Sequence, residues 1–171
     1  MKPVFIIAEM SSNHHHSYHE AVSLIRAAKY AGADAIKIQT YTPDTITTKS
    51  DRPEFKISSG TIWDGWTLYD LYQEAFTPWE WQPKLKRVAD EIGIELFSSP
   101  FDETAVDFLE EIGVARYKIA SYEIVDLSLI RYAASKGKPM IISTGMADMQ
   151  EIRDAVIASN YQTTLLKCTS A

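Results

Sequence analysis

Six short apolar runs, each followed by a stretch of helical pattern, constrain this chain more than any other feature. They are VFIIAE (4–9), DAIKIQ (34–39), IELFSS (94–99), ARYKIAS (115–121), PMIIST (139–144) and TTLLKC (163–168). Runs of this length, rich in β-branched residues, suit strands covered on both faces. Regular alternation of such strands with helical segments predicts parallel βα units.

The segments between the runs carry their own punctuation. Ser17 with Glu20 and Thr77 with Glu80 read as capping boxes, the second followed by Pro78, and Asp102, Asp126 and Asp148 are further N-cap candidates. Gly32, Gly93, Gly113, Gly137 and Asn160 stand where the five principal helices should stop, at positions that favour left-handed backbone. Residues 41–76 break the rhythm with a long insertion rich in Thr, Ser, Asp and aromatics. Trp63, Trp66, Tyr69 and Tyr72 need something to pack on, which predicts an ordered lid with a short helix near 66–74. The alternative is a surface ornament without a ligand role.

Side chains alternate along a strand. If Ile36, Ile38, Tyr117 and Ile119 pack under helices, Lys37, Gln39 and Lys118 face the other way, and the same alternation in TLLKCT sets Lys167 with them. Three lysines would then converge near the C-terminal ends of the strands, where parallel α/β proteins place chemistry. Buried ammonium groups need negative charge from Glu9, Glu123 or a ligand. The alternative is an internal Lys/Glu network that only holds the strands in register. Ser98, Ser99, Ser121, Ser143 and Thr144 offer hydroxyls to the same ligand.

Charge and cysteine content narrow the classes. Asp and Glu outnumber Lys and Arg by 23 to 17, which excludes a general nucleic-acid binder and leaves any anionic ligand to locally placed lysines. Cys168 is the single cysteine, so no disulfide forms within the chain. No apolar run approaches the roughly 20 residues of a membrane span, and a soluble cytoplasmic protein is expected. All four histidines fall between 14 and 19. Adjacent histidines diverge, and no cysteine or second acid joins them, so a metal site within this run is not expected.

Taken in order, IAEMSSNH, IKIQT, FSSPFD, YKIASYE, ISTGM and LLKCTS resemble the strand-end motifs of the sialic acid synthases. The segment GTIWDGWTLYDLYQEAFTPWEW is most similar to the bacterial pseudaminic acid type, with legionaminic and N-acetylneuraminic types as near relatives. The resemblance implies a (β/α)8 TIM-barrel type of α/β fold, here incomplete with about six βα units. Residues 1–171 would form the N-terminal part of the synthase domain, as a truncated piece. The implied reaction condenses phosphoenolpyruvate with an N-acylated amino-sugar aldehyde, giving a nine-carbon 2-keto sugar acid and phosphate by C–O cleavage. By motif matching, Lys37, Ser99, Lys118, Ser121 and Ser143 would contact phosphoenolpyruvate, and Lys167 and Ser170 are further substrate-binding candidates. Glu9, Gln39 and Glu123 would act at the sugar or the reacting centre, and Asn13 and His14 would shape the sugar site.

The resemblance also implies a divalent metal, Mn or Mg, whose histidine ligands lie beyond this sequence, so the isolated chain is expected to be inactive. It implies a homo-oligomer as well. The alternatives are a non-catalytic barrel fragment or binding scaffold, an N-acetylneuraminate or legionaminate synthase, and a phosphoenolpyruvate aldol synthase acting on a phosphorylated sugar.

Overall fold

A computed structural model describes residues 4–168. Among them, six strands form one sheet in sequence order, every neighbour parallel. They are β1 (Ile7–Glu9), β2 (Ala35–Thr40), β3 (Glu95–Pro100), β4 (Tyr117–Ile119), β5 (Met140–Ser143) and β6 (Thr163–Leu166). The principal helices are α1 (Tyr18–Tyr30), α4 (Gln82–Ile92), α5 (Glu103–Glu111), α6 (Leu127–Ser135) and α7 (Met149–Ala158), and the insertion adds α2 (Pro43–Ile46) and α3 (Leu68–Ala75). The parallel βα units expected from the six runs are observed, and they curl into the incomplete barrel that the resemblance implied.

Helix packing explains which strand face turns outward. Ile36, Ile38 and Leu96 are buried with Ala21 and Ile25 of α1 and Leu85 and Ala89 of α4. Tyr117, Ile119, Met140 and Ile142 join Leu109 of α5, Ile130 of α6 and Ala155 of α7. Each such large side chain, once buried, contributes about 1.5–3 kcal/mol. The helices need these aliphatic side chains on the outer face, so strand parity turns Lys37 and Lys118 to the concave face.

Capping follows the sequence at four helices. Ser17 accepts from the Glu20 N–H, Asp102 from Thr104 and Ala105, Asp126 from Leu129, and Asp148 forms a full box with Glu151. Thr77 is the exception. The chain makes a 3-10 turn at Trp79–Trp81 before α4 starts, and the Thr77 hydroxyl instead meets His14. The run at 4–9 yields a strand of only three residues. The Asp34 carboxylate accepts the Ile6 N–H at 2.7 Å in place of a ladder partner.

The insertion is ordered. Lys56 and Thr67 form an antiparallel bridge, and between them the Asp64 carboxylate accepts the N–H groups of Ser59, Gly60 and Thr61. Thr67 caps α3. Tyr69 donates to Asp44 beside α2, while the Trp79 indole donates to the Tyr41 carbonyl. The expected short helix therefore forms, and its Tyr72 ring meets Tyr41 just beyond β2 at 5.7 Å between centroids.

Candidate functional site

Two cavities open at the C-terminal ends of the strands, and they share one wall residue, Ala120. The smaller, about 340 Å³, is lined by side chains from all six strands and the residues just after them, including Glu9, Lys37, Lys118, Ser121 and Ser143. The Lys37 ammonium pairs with Glu9 at 2.6 Å and donates to the Ser99 hydroxyl at 3.4 Å. Lys118 is 6 % exposed and donates to the Ile119 carbonyl at 2.5 Å. Burial first, and the like charge of Lys37 second, lower its pKa to about 8. Two ammonium groups against the single Glu9 carboxylate in the lining leave a net positive pocket, and serine hydroxyls can complete the shell of an anion.

Ser121 is held by an unusual neighbour. A Cβ built on Gly145 would stand 2.5 Å from the Ser121 Oγ and 2.6 Å from its Cβ. Gly145 is needed for this close approach and not for a left-handed backbone, since its φ is outside that region.

The larger cavity, about 850 Å³, lies between the β1–α1 loop and the insertion. Ser11, Ser12 and Asn13 form one side, and Tyr41, Trp63, Leu71 and Tyr72 the other. Gln39 and Glu123 stand on its strand side. The Gln39 carbonyl oxygen accepts from Ser11 at 3.1 Å, which leaves its amide N–H groups for a ligand. Glu123 Oε2 is buried without a hydrogen-bond partner, and burial raises the pKa of its carboxyl. A carboxyl held toward its protonated form beside a polar cavity is equipped to donate a proton.

The geometry sorts the residues expected from sequence. Glu9, Lys37, Ser99, Lys118, Ser121 and Ser143 come together around the small cavity; Asn13, Gln39 and Glu123 line the large one. His14 lines neither: it is completely buried behind the loop. Lys167 requires a correction. Ser143 is in register with Leu166, and Leu166 and Cys168 line the small cavity, so Lys167 falls on the opposite side and is exposed. Ser98 likewise turns outward to meet Thr40 at 2.6 Å, and Thr144 bonds the Leu166 carbonyl across the strands. Ser170 lies outside the described residues.

Sequence reasoning missed the aromatic wall of Tyr41 and Phe101. Tyr41 could have been found, because it lies two residues beyond Gln39 and keeps its parity. Among the described residues, no group of three His, Cys, Asp or Glu side chains could hold a metal ion. The chemistry within reach here is that of ammonium groups, hydroxyls, an amide and carboxyls. Among those residues, no helix is long and apolar enough to cross a membrane.

Comparison with known proteins places this arrangement. The chain is 45 % identical over 175 residues to a pseudaminic acid synthase of Helicobacter pylori, covering all of this chain and 51 % of that protein. It is 47 % identical over 174 residues to a pseudaminic acid synthase of Campylobacter jejuni, covering 99 % of this chain and 50 % of that protein. The chain thus spans about half the length of these relatives. A crystal structure of N-acetylneuraminic acid synthetase from Leptospira borgpetersenii, in complex with citrate, superposes with a TM-score of 0.84 at 32 % identity, covering 99 % of this chain and 55 % of that one. Residues 24–171 match the NeuB family profile, and with relatives this similar along its whole length the chain belongs to the NeuB family.

Proposed function

We propose that this chain furnishes the substrate-binding wall of a sialic-acid-type synthase of the pseudaminic kind. The substrates are phosphoenolpyruvate and an N-acylated amino-sugar aldehyde. The observation that carries the reading is the pair of adjoining cavities, one cationic and one neutral with an aromatic wall, sharing Ala120. The relatives' names supply the type of product, a pseudaminic acid.

In this reading Lys37 and Lys118 face the phosphate and carboxylate of phosphoenolpyruvate, with Ser99, Ser121 and Ser143 donating to their oxygens. The amino sugar lies in the large cavity, its aldehyde toward Gln39 and Glu123. C3 of the enol attacks the aldehyde carbon and forms the new C–C bond, while the aldehyde oxygen takes a proton from Glu123. Water adds at C2 and the C2–O bond to phosphate breaks; of the two protons the water gives up, one returns to the Glu123 carboxylate and one leaves on the phosphate, giving the 2-keto acid and inorganic phosphate. The strands contribute proximity: two reactants held in adjoining cavities meet without a further entropic cost. The lysines keep the leaving phosphate's charge neutralised throughout.

Calorimetric titration with phosphoenolpyruvate tests the reading. Expected is saturable binding that the Lys118→Met variant loses. No binding to the unaltered chain, or equal binding to both, would overturn it.

A further inference from the structure

Five of the buried polar side chains form one connected series that the proposed chemistry does not use. Ser98 of β3 meets Thr40 of β2 at 2.6 Å, and Thr40 donates to the Gln82 carbonyl oxygen at 2.7 Å. The Gln82 amide donates to the Thr77 backbone carbonyl at 3.4 Å. The Thr77 hydroxyl stands 3.0 Å from His14 Nε2. All five residues are at most 1 % exposed.

The series fixes a tautomer. His14 Nδ1 accepts the His16 backbone N–H at 3.2 Å, so a proton on Nδ1 would oppose that donor. The proton therefore sits on Nε2 and is donated to Thr77. An imidazolium would carry protons on both nitrogens and break the same bond. The ionisable groups acting on His14 are His15 and His16 of its own loop and Glu20 of α1. From the facing segment come Thr77 and the Trp81 ring at 5.7 Å, neither of which ionises there.

The loop held in this way is strained. Ser11, His15 and His16 have φ of 47°, 46° and 51° without being glycine, a state that persists only where the surroundings over-determine it. Ser11, Ser12, Asn13 and His15 of this loop line the large cavity. Within the loop, Asn13 reaches only the Met10 carbonyl, through both its backbone and its side chain. The hydrogen bonds outward are Met10 to the Lys37 carbonyl at 2.9 Å, Ser11 to Gln39, Ser12 to Tyr41 and His14 to Thr77, and of these His14 to Thr77 is the one that ties the loop to the segment before α4.

We propose that His14 is a positioning residue: as a neutral, Nε2-protonated imidazole it ties the β1–α1 loop through Thr77 to the sheet, and so sets where Ser12 and Asn13 stand in the amino-sugar cavity. The consequence for ligand binding rests on the function proposed above; the tether itself does not. None of the hydrogen bonds in the series involves the side chain of Lys37 or Lys118, so its loss should bear on the small cavity less than on the large one.

The experiment uses the 171-residue chain labelled with 15N, and the variants Thr77→Val, Thr77→Ser and His14→Gln. Long-range proton–nitrogen correlation at neutral pH should show His14 protonated at Nε2 alone. Thr77→Val should shift the backbone amides of Ser12 and Asn13 and weaken binding of N-acetylmannosamine about tenfold, with phosphoenolpyruvate affinity changed less than about twofold. Thr77→Ser, which keeps the hydroxyl, and His14→Gln, which keeps an N–H donor, should restore most of both readouts. A proton on Nδ1, unmoved amides in Thr77→Val, or an equal loss for both ligands would overturn the proposal. If the unaltered chain binds no amino sugar, the cavity assignment falls, while the tautomer and the amide shifts still decide the tether.

Discussion

The two cavities are made of different material. The small one takes its charged and hydroxyl groups from strands and the residues immediately following them, so its shape is fixed by the parallel register of six strands. The large one takes most of its wall from two connections, the β1–α1 loop and the insertion that carries α3. Strand parity places ammonium groups without any tertiary accident, and it suits an invariant anion. Loops carry shape and neutral polar groups, and they suit the partner whose side groups vary. The contrast teaches that this half-barrel sets a cationic, strand-built cavity beside a loop-built, aromatic one, and the proposed function assigns one reactant to each.

The sharpest way to break that contrast is to remove a strand-borne charge. Lys118→Met should weaken phosphoenolpyruvate binding about a hundredfold, whereas Lys49→Met, whose ammonium lies 5.4 Å from the Tyr69 ring centre, should leave it unchanged. Isothermal calorimetry on both variants checks this, and equal losses would mean that general charge rather than the cradle attracts the anion.

A change of pH should act on the same cavity. Lys118 titrates near 8, and the phosphate of phosphoenolpyruvate is already a dianion above neutrality. Affinity should therefore fall as pH rises, about tenfold from pH 7 to pH 9. Stability of the unliganded chain has the opposite sign. The folded pKa lies below the ordinary 10.5, so between about 8 and 10.5 the unfolded chain binds more protons. The contribution of Lys118 to stability then rises with pH across that window. Denaturant melts at several pH values separate it from the remaining groups.

Gly145→Ala tests position without altering charge. The added methyl must displace Ser121, and overpacking of this kind costs about 1–3 kcal/mol. Anion affinity should drop about tenfold. In a Ser121→Gly background the same substitution should cost little, because the space it needs has been vacated. Additive losses would mean that Gly145 acts elsewhere. The smallest effect is expected from Leu71→Ala on α3, a helix without any completely buried residue. It should weaken amino-sugar binding about threefold and leave phosphoenolpyruvate binding and the melting temperature nearly unchanged.

What the sequence disclosed follows the same division. Period-two alternation in DAIKIQ and ARYKIAS was enough to turn Lys37 and Lys118 to the concave face, because helices cover the aliphatic side. It failed at TTLLKC, where both parities present an apolar residue. There Leu165 and Leu166 are each exposed, so hydrophobicity carries no preference and Lys167 was set on the wrong side. The capping signals held where an aspartate or serine had only its own helix to serve. Thr77 departed because a buried histidine 63 residues away competes for its hydroxyl. Such a pairing has no local signature.

Ala120 belongs to both cavities, and a methyl group is all that its side chain places at their common wall. For the chemist this is a linking site. An anionic fragment for the lysine cradle and an uncharged N-acyl fragment for the aromatic side can be joined by a short spacer passing over Ala120. The second contact then forms at an effective concentration in the millimolar range rather than from dilute solution. Two weak fragments would combine into one ligand far tighter than either, and replacing Ala120 by a bulky residue would cut the joined compound back toward the affinity of its parts.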